Sequence, residues 1–165
     1  IGPRQKYDDP FRNVVSIMIN RMLQKKAPII YGDGEQKRTF SYVDDVIYCL
    51  EKLAFDKNIN KEIINVGPDE ESITIKNLAN LVANEVGYNG KAIHMPARPQ
   101  EVKIATCSAE KSRRLLNYST KTTLKEAIKH TADYIRKTGT RPFKYYLPIE
   151  IVNDKTPQSW VKKTI

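Results

Sequence analysis

Apolar residues recur at helical spacing in several stretches of this chain and bunch into short runs between them. Val14, Val15, Ile17, Met18, Ile19, Met22 and Leu23 cover more than one face of residues 13–26. That predicts a helix buried on two sides and ended by Pro28. Val43, Val46, Ile47, Leu50 and Leu53 form the single stripe of a second helix, and Ser41 and Asp44 have capping-box spacing at its start. A third carries Ile75, Leu78, Ala79, Val82 and Val86, with Thr74 as its cap and Gly87 as its stop. A short helix runs from Ser108 to Leu116. Thr123 and Glu126 open the last one as a T-x-x-E capping box, and Leu124, Ala127, Ile128, Thr131 and Ile135 line one face as far as Gly139.

The runs between these helices read as strands. Ile29-Ile30-Tyr31 is one, and Gly32-Asp33-Gly34 supplies a turn after which residues 37–40 return as its partner. Residues 62–66 (EIINV) suit a buried strand closed by Gly67-Pro68. Residues 91–95 and 102–105 are two more, separated by the Pro96-Ala97-Arg98-Pro99 kink. Strands and helices interleave without a clean βαβ repeat, which is α/β in the broad sense, with short strands that lean on something larger. Periodicity fades after Arg141-Pro142. Residues 1–140 therefore form the domain and residues 141–165 a C-terminal tail.

At 165 residues the chain can bury the core of one domain. It has 40% hydrophobic and 28% charged residues and no apolar run of membrane-spanning length, so a globular protein without a membrane partner is expected. It opens on Ile1-Gly2-Pro3, with neither an initiator Met nor a signal-like segment, as if cut from something longer. Cys49 and Cys107 are too few for a disulfide framework and are expected reduced in or near a core, with a cytoplasmic origin as the default. A net charge of +9 invites a nucleic-acid reading. The Lys and Arg are spread along the whole length, however, without an arginine-rich block or a stacking-aromatic motif. A solvated basic surface, or a preference for anionic ligands, fits better than nucleic acid, which stays as the rival binding module.

The densest chemistry lies in Tyr31-Gly32-Asp33-Gly34-Glu35-Gln36-Lys37-Arg38-Thr39-Phe40-Ser41-Tyr42-Val43-Asp44-Asp45-Val46. A tight turn, a lone arginine on a strand and a helix start follow one another. Such an order can bend beneath a ligand and aim one cation at a phosphate. Taken with Gly2-Pro3-Arg4-Gln5, Ile64-Asn65-Val66-Gly67, Arg98-Pro99-Gln100-Glu101-Val102 and the helix from Leu124, it resembles the C-terminal half of the NAD-dependent epimerase/dehydratase family. These are extended short-chain dehydrogenases acting on nucleotide sugars, and the likeness is greatest to UDP-glucose 4-epimerases. The resemblance implies that this is the substrate-binding C-terminal portion of such an enzyme. The Rossmann half, with its glycine-rich turn, its catalytic residues and most of the NAD site, would be largely absent. It further implies a UDP-sugar or other nucleotide-diphosphate sugar as partner, a homodimer for the full-length protein, and no turnover by this portion alone. Epimerase, dehydratase and decarboxylase chemistry stay open, as does an auxiliary binder without a catalytic half. Tyr48 and Lys52 have the family's Y-x-x-x-K spacing, but they lie downstream of the glycine turn and read as an ordinary helix pair.

Candidate site residues follow from the same match. A guanidinium meets a diphosphate with two parallel charge-assisted hydrogen bonds, and the resemblance gives that contact to Arg38. It makes Arg98 the second phosphate clamp and Glu101 the partner of the ribose hydroxyls, although Gln100 stands where most relatives have Gly. Tyr31 is expected to stack on the base, and Val14, with Val15, to bring the start of a helix near it. Gln36 points near the site or into solvent. His94 and His130 have no ligand-spaced partners and read as structural. Asp44 and Asp45 sit where a helix dipole favours carboxylates.

Overall fold

A computed structural model describes residues 1–11, 13–146 and 152–164. The elements are α1 (Val14–Leu23), β1 (Ile29–Tyr31), β2 (Lys37–Arg38), α2 (Val43–Phe55), β3 (Ile73–Thr74), α3 (Ile75–Val86), β4 (Ile93–Met95), β5 (Ile104–Ala105), α4 (Glu110–Leu116), α5 (Leu124–Thr138) and α6 (Gln158–Val161). Helices whose ends are written locally form as expected. Asn13 Oδ1 accepts from the Val15 N–H at 3.0 Å, Thr74 caps α3, Gly87 ends it at φ 68°, and the Thr123–Glu126 capping box is complete.

The core lies where α1, α3 and α5 meet. Val15, Met18, Ile19 and Met22 of α1 pack with Leu78 and Val82 of α3 and with Ile128 and Ile135 of α5, all fully or almost fully buried. Each such side chain contributes about 1.5–3 kcal/mol of transfer free energy. α1 is buried on two sides, and its second side includes the polar Asn20. The Asn20 Nδ2 donates to the Tyr7 and Arg141 carbonyls at 3.1 and 2.9 Å, and its Oδ1 accepts from the Arg141 N–H at 3.1 Å. The end of the body is thereby tied to its start.

Two small sheets flank this core, and their pairing corrects one expectation. β2 does not return along β1. β1 runs parallel to β4, with Tyr31 opposite Met95, while β2 lies between antiparallel β3 and parallel β5. The intervening turn decides this. Gly32 and Gly34 sit at φ 66° and 80°, and the Gly34 and Gln36 carbonyls accept from the Lys76 and Ile75 N–H groups. The chain is thus led across to the start of α3 instead of back along β1.

Three further expectations change. Ser41 does not cap α2: Tyr42 is the N-cap and gives no side-chain bond. A Cβ on Gly67 would lie 2.8 Å from Ser41 Oγ, so that hydroxyl is packed against the loop at Gly67. Residues 62–66 form no strand. Ile64 and Val66 lean on a second cluster of Cys49, Ala109, Leu116 and Tyr118, while Ile63 is 88% exposed. The α2 stripe also faces outward, with Ile47 and Leu50 more than half exposed; its buried residues are Asp45 and Cys49. Asp45 Oδ2 accepts from the Lys121 and Thr122 N–H groups, both at 3.2 Å, and so fixes the loop before α5. Both cysteines are free; burial, then the Asp45 charge, pushes the Cys49 thiol up. No helix among the described residues is long and apolar enough to cross a membrane.

Candidate functional site

A cavity of about 370 Å³ opens where the N-terminus of α1, the end of β1, β2 and the 96–101 kink come together. Arg38 enters from β2, fixed by ladders on both sides and by its own Nη1 donating to the Lys37 carbonyl at 2.7 Å. Arg98 and Glu101 enter from the kink. There Gln100 sits at φ 58° and the Glu101 N–H donates to the Arg98 carbonyl. A left-handed residue with a Cβ costs about 1–2 kcal/mol, which is the physical reason glycine suits this position. The turn folds the Glu101 carboxylate back so that each oxygen takes one arginine. Arg38 Nη2 donates to Oε1 at 2.5 Å, and Arg98 Nε to Oε2 at 2.5 Å. The three side chains are 17–32% exposed, so they are partly desolvated and still reachable.

Tyr31 and Val14 line the same cavity, which places every residue named above as a ligand contact around one space except Val15. Val15 is fully buried in the core. Gln36 resolves inward: it lines the cavity and its Nε2 donates to the Tyr31 carbonyl at 3.0 Å. The Tyr31 ring is engaged otherwise than base stacking alone would suggest. The Arg98 guanidinium carbon lies 4.7 Å from its centroid, and its hydroxyl is 2.7 Å from Ser159 Oγ. His94 lies outside this set, its Nδ1 2.7 Å from the Gly32 carbonyl oxygen, and His130 is exposed beside Tyr42. Tyr48 and Lys52 share a face of α2, with Lys52 Nζ 5.8 Å from the Tyr48 centroid, and neither lines the cavity.

Sequence reasoning missed Phe11, Phe40 and Trp160, which supply the cavity's aromatic wall beside Tyr31. Phe40 lay inside the quoted motif and could have been named. Phe11 and Trp160 carried no periodic signal. Two guanidiniums against one carboxylate leave a net positive cavity with apolar walls. Such a site can hold an anion joined to a flat ring.

The GDP-mannose 4,6-dehydratase family model matches residues 1–131. A UDP-N-acetyl-alpha-D-glucosaminuronate decarboxylase of Bacillus cytotoxicus is 36% identical over 95 residues, covering 58% of this chain and 29% of that protein. Among solved structures, a UDP-glucose 4-epimerase of Thermotoga maritima with UDP-glucose is 34% identical with a TM-score of 0.75. It covers 84% of this chain and 43% of its own. A UDP-glucuronic acid 4-epimerase of Bacillus cereus, in complex with UDP-glucuronic acid and NAD, matches at 30% identity and TM-score 0.75, again over 84% and 43%. The chain thus spans less than half the length of each of these relatives.

Proposed function

Because the chain belongs to the GDP-mannose 4,6-dehydratase family of NAD-dependent epimerases and dehydratases, we propose that its cavity holds the nucleoside diphosphate handle of a nucleotide sugar. One observation carries the reading. Arg38 and Arg98, far apart along the chain, meet on a single carboxylate at the wall of one cavity. Arg38 and Arg98 clamp the two phosphates, Glu101 accepts from the ribose hydroxyls, and Tyr31 and Val14 border the base. The UDP-sugars bound by the solved relatives make uridine the leading base. Epimerase, dehydratase and decarboxylase share this handle, so the reading covers all three. Residues 1–140 act as the binding domain and residues 141–165 as an appended tail.

These residues do not fit NAD. The left-handed glycines Gly32, Gly34, Gly87 and Gly139 serve turns and helix ends, and among the described residues no strand runs through a G-x-x-G-x-x-G turn into a helix. In the complete enzyme NAD would be held mainly by the portion the longer relatives possess, and catalysis would reside there. What this chain supplies is position: binding energy gathered at a remote diphosphate orients the sugar against groups carried elsewhere.

The test is selective stabilisation. UDP-glucose and UDP should raise the melting temperature, and Arg38→Ala should shrink the shift at the same ligand concentration. A larger, steeply salt-dependent shift with duplex DNA at equal phosphate concentration would overturn the reading in favour of a nucleic-acid module.

A further inference from the structure

Residues 152–164 return to the edge of the cavity, where Trp160 lines it. An Asn153–Thr156 turn, with the Thr156 N–H donating to the Asn153 carbonyl at 3.1 Å, leads through Pro157 into α6. Ser159 is buried to 4% exposure with its hydroxyl on that of Tyr31, and the Thr164 N–H and Oγ1 both donate to the Ser159 carbonyl. These contacts seat the half-buried Trp160 at the cavity wall, where its ring meets the edge of Phe11 at 5.1 Å and 81°. Trp160 lies beyond residues 1–131, the stretch that the family model matches.

Arg98 stacks against the Tyr31 ring, so part of the aromatic surface expected to serve the base is already engaged by a cation. The indole offers a larger ring on the same wall as Tyr31 and Val14. A base–aromatic contact tolerates any base and gains from a rigid platform, and the edge contact with Phe11 restrains this one.

We propose that Trp160 is a nucleobase-contacting residue, an indole supplied by the tail on which the base of a bound nucleoside diphosphate stacks. This rests on the cavity being a nucleoside diphosphate site. Trp160 is the chain's single tryptophan, so its emission reports on the cavity alone.

UDP and inorganic pyrophosphate are titrated into the intact chain, followed by Trp160 emission and by calorimetry, with Arg38→Ala, Trp160→Ala and Trp160→Phe in parallel. Circular dichroism checks that each variant is folded. UDP should quench the emission. Trp160→Ala should weaken UDP about tenfold and leave pyrophosphate unchanged, and Trp160→Phe should lose less. Arg38→Ala should weaken both ligands. UDP binding by Trp160→Ala at wild-type strength overturns the proposal; tighter binding does so too, since the tail would then be a plug. Equal losses for UDP and pyrophosphate would reduce Trp160 to a structural part. In these three cases a loss of both ligands in Arg38→Ala leaves the diphosphate reading standing. If the wild-type chain takes up neither ligand, the reading and the proposal fall together.

Discussion

Replacing Arg38 with alanine removes one of the two cations from Glu101 and leaves the other in place. The cost in stability follows from that asymmetry. The side chains of the pair are 22% and 17% exposed, so their attraction is partly screened and contributes about 1 kcal/mol. Glu101 keeps Arg98 at 2.5 Å, and the larger penalty of an unpaired carboxylate does not arise. The cost in ligand binding is greater. Hydrogen bonds to a charged group contribute about 1.5–3 kcal/mol, and the phosphate must first compete with Glu101 for the same guanidinium. A net loss of about 2 kcal/mol remains, roughly thirtyfold in Kd. Calorimetric titration of UDP at fixed ionic strength measures it. Arg113→Ala is the control, because it removes the same charge from an arginine held on Asp69 by two bonds of 2.8 and 2.9 Å, outside the cavity. A UDP Kd within twofold of wild type in Arg38→Ala would refute the reasoning. So would an equal loss in Arg113→Ala, since the effect would then belong to net charge and not to place.

Gly34→Ala should destabilise by about 2 kcal/mol or more in denaturant unfolding, because the residue sits at φ 80° and its Cβ would fall 2.9 Å from Ile30 Cγ2 and 3.0 Å from Lys76 Cβ. The double substitution Ile47→Ser and Leu50→Ser on the outward α2 stripe should shift the unfolding free energy of this chain by no more than about 0.5 kcal/mol per site. Stability should fall on the acid side. Asp69 is held at about 2 by its bonds to Arg113 and to the Ala109 N–H, and Glu62, Glu126 and Asp133 are also pulled below their usual range by hydrogen-bonded partners. The unfolded chain therefore takes up protons first; the Asp69 contribution is full above about pH 4 and is lost as the pH falls through 2. Melting temperatures measured across that window should drop, and Asp69→Asn should flatten the drop.

What could be read from the chain was what neighbours in sequence decide. Thr123 with Glu126, Thr74 with Gly87, and the apolar faces of α1, α3 and α5 each carry their own signal, and each helix formed. Residues 62–66 show where this stops. Their β-rich pattern is clear, but a strand needs a neighbour for its backbone groups, and among the described residues none is paired with it. On α2, Ile47 and Leu50 are likewise left largely uncovered among the described residues. The position of β2 turned on carbonyls of the glycine turn meeting the start of α3, a contact between segments about 40 residues apart. That Arg38, Arg98, Glu101, Tyr31 and Val14 gather around one cavity could be expected from the family resemblance. Trp160 could not be placed there, because the four-residue α6 has no periodicity and its partners Phe11 and Tyr31 lie more than 120 residues away.

If the cavity takes a nucleoside diphosphate as proposed, Glu101 should give the site a choice between ligands that the arginines alone would not make. Its carboxylate holds both guanidiniums near one another before anything binds, which lowers the side-chain entropy lost on binding. The same charge repels a phosphate; for unit charges 4 Å apart the energy lies between about 1 kcal/mol in water and 4 kcal/mol near a protein surface. Inorganic pyrophosphate has few protons to offer the carboxylate and meets that repulsion uncompensated. A nucleoside diphosphate brings ribose hydroxyls that can donate to Glu101, at about 1.5–3 kcal/mol for hydrogen bonds to a charged acceptor. Glu101→Gln removes the repulsion and leaves only a neutral acceptor for the ribose, so it should strengthen pyrophosphate binding and weaken or leave UDP binding. The UDP-to-pyrophosphate ratio of affinities should fall about tenfold or more. Parallel titrations of the two ligands into wild type and variant give that ratio directly. An unchanged ratio would mean that Glu101 only braces the arginines, and that the ribose is recognised elsewhere.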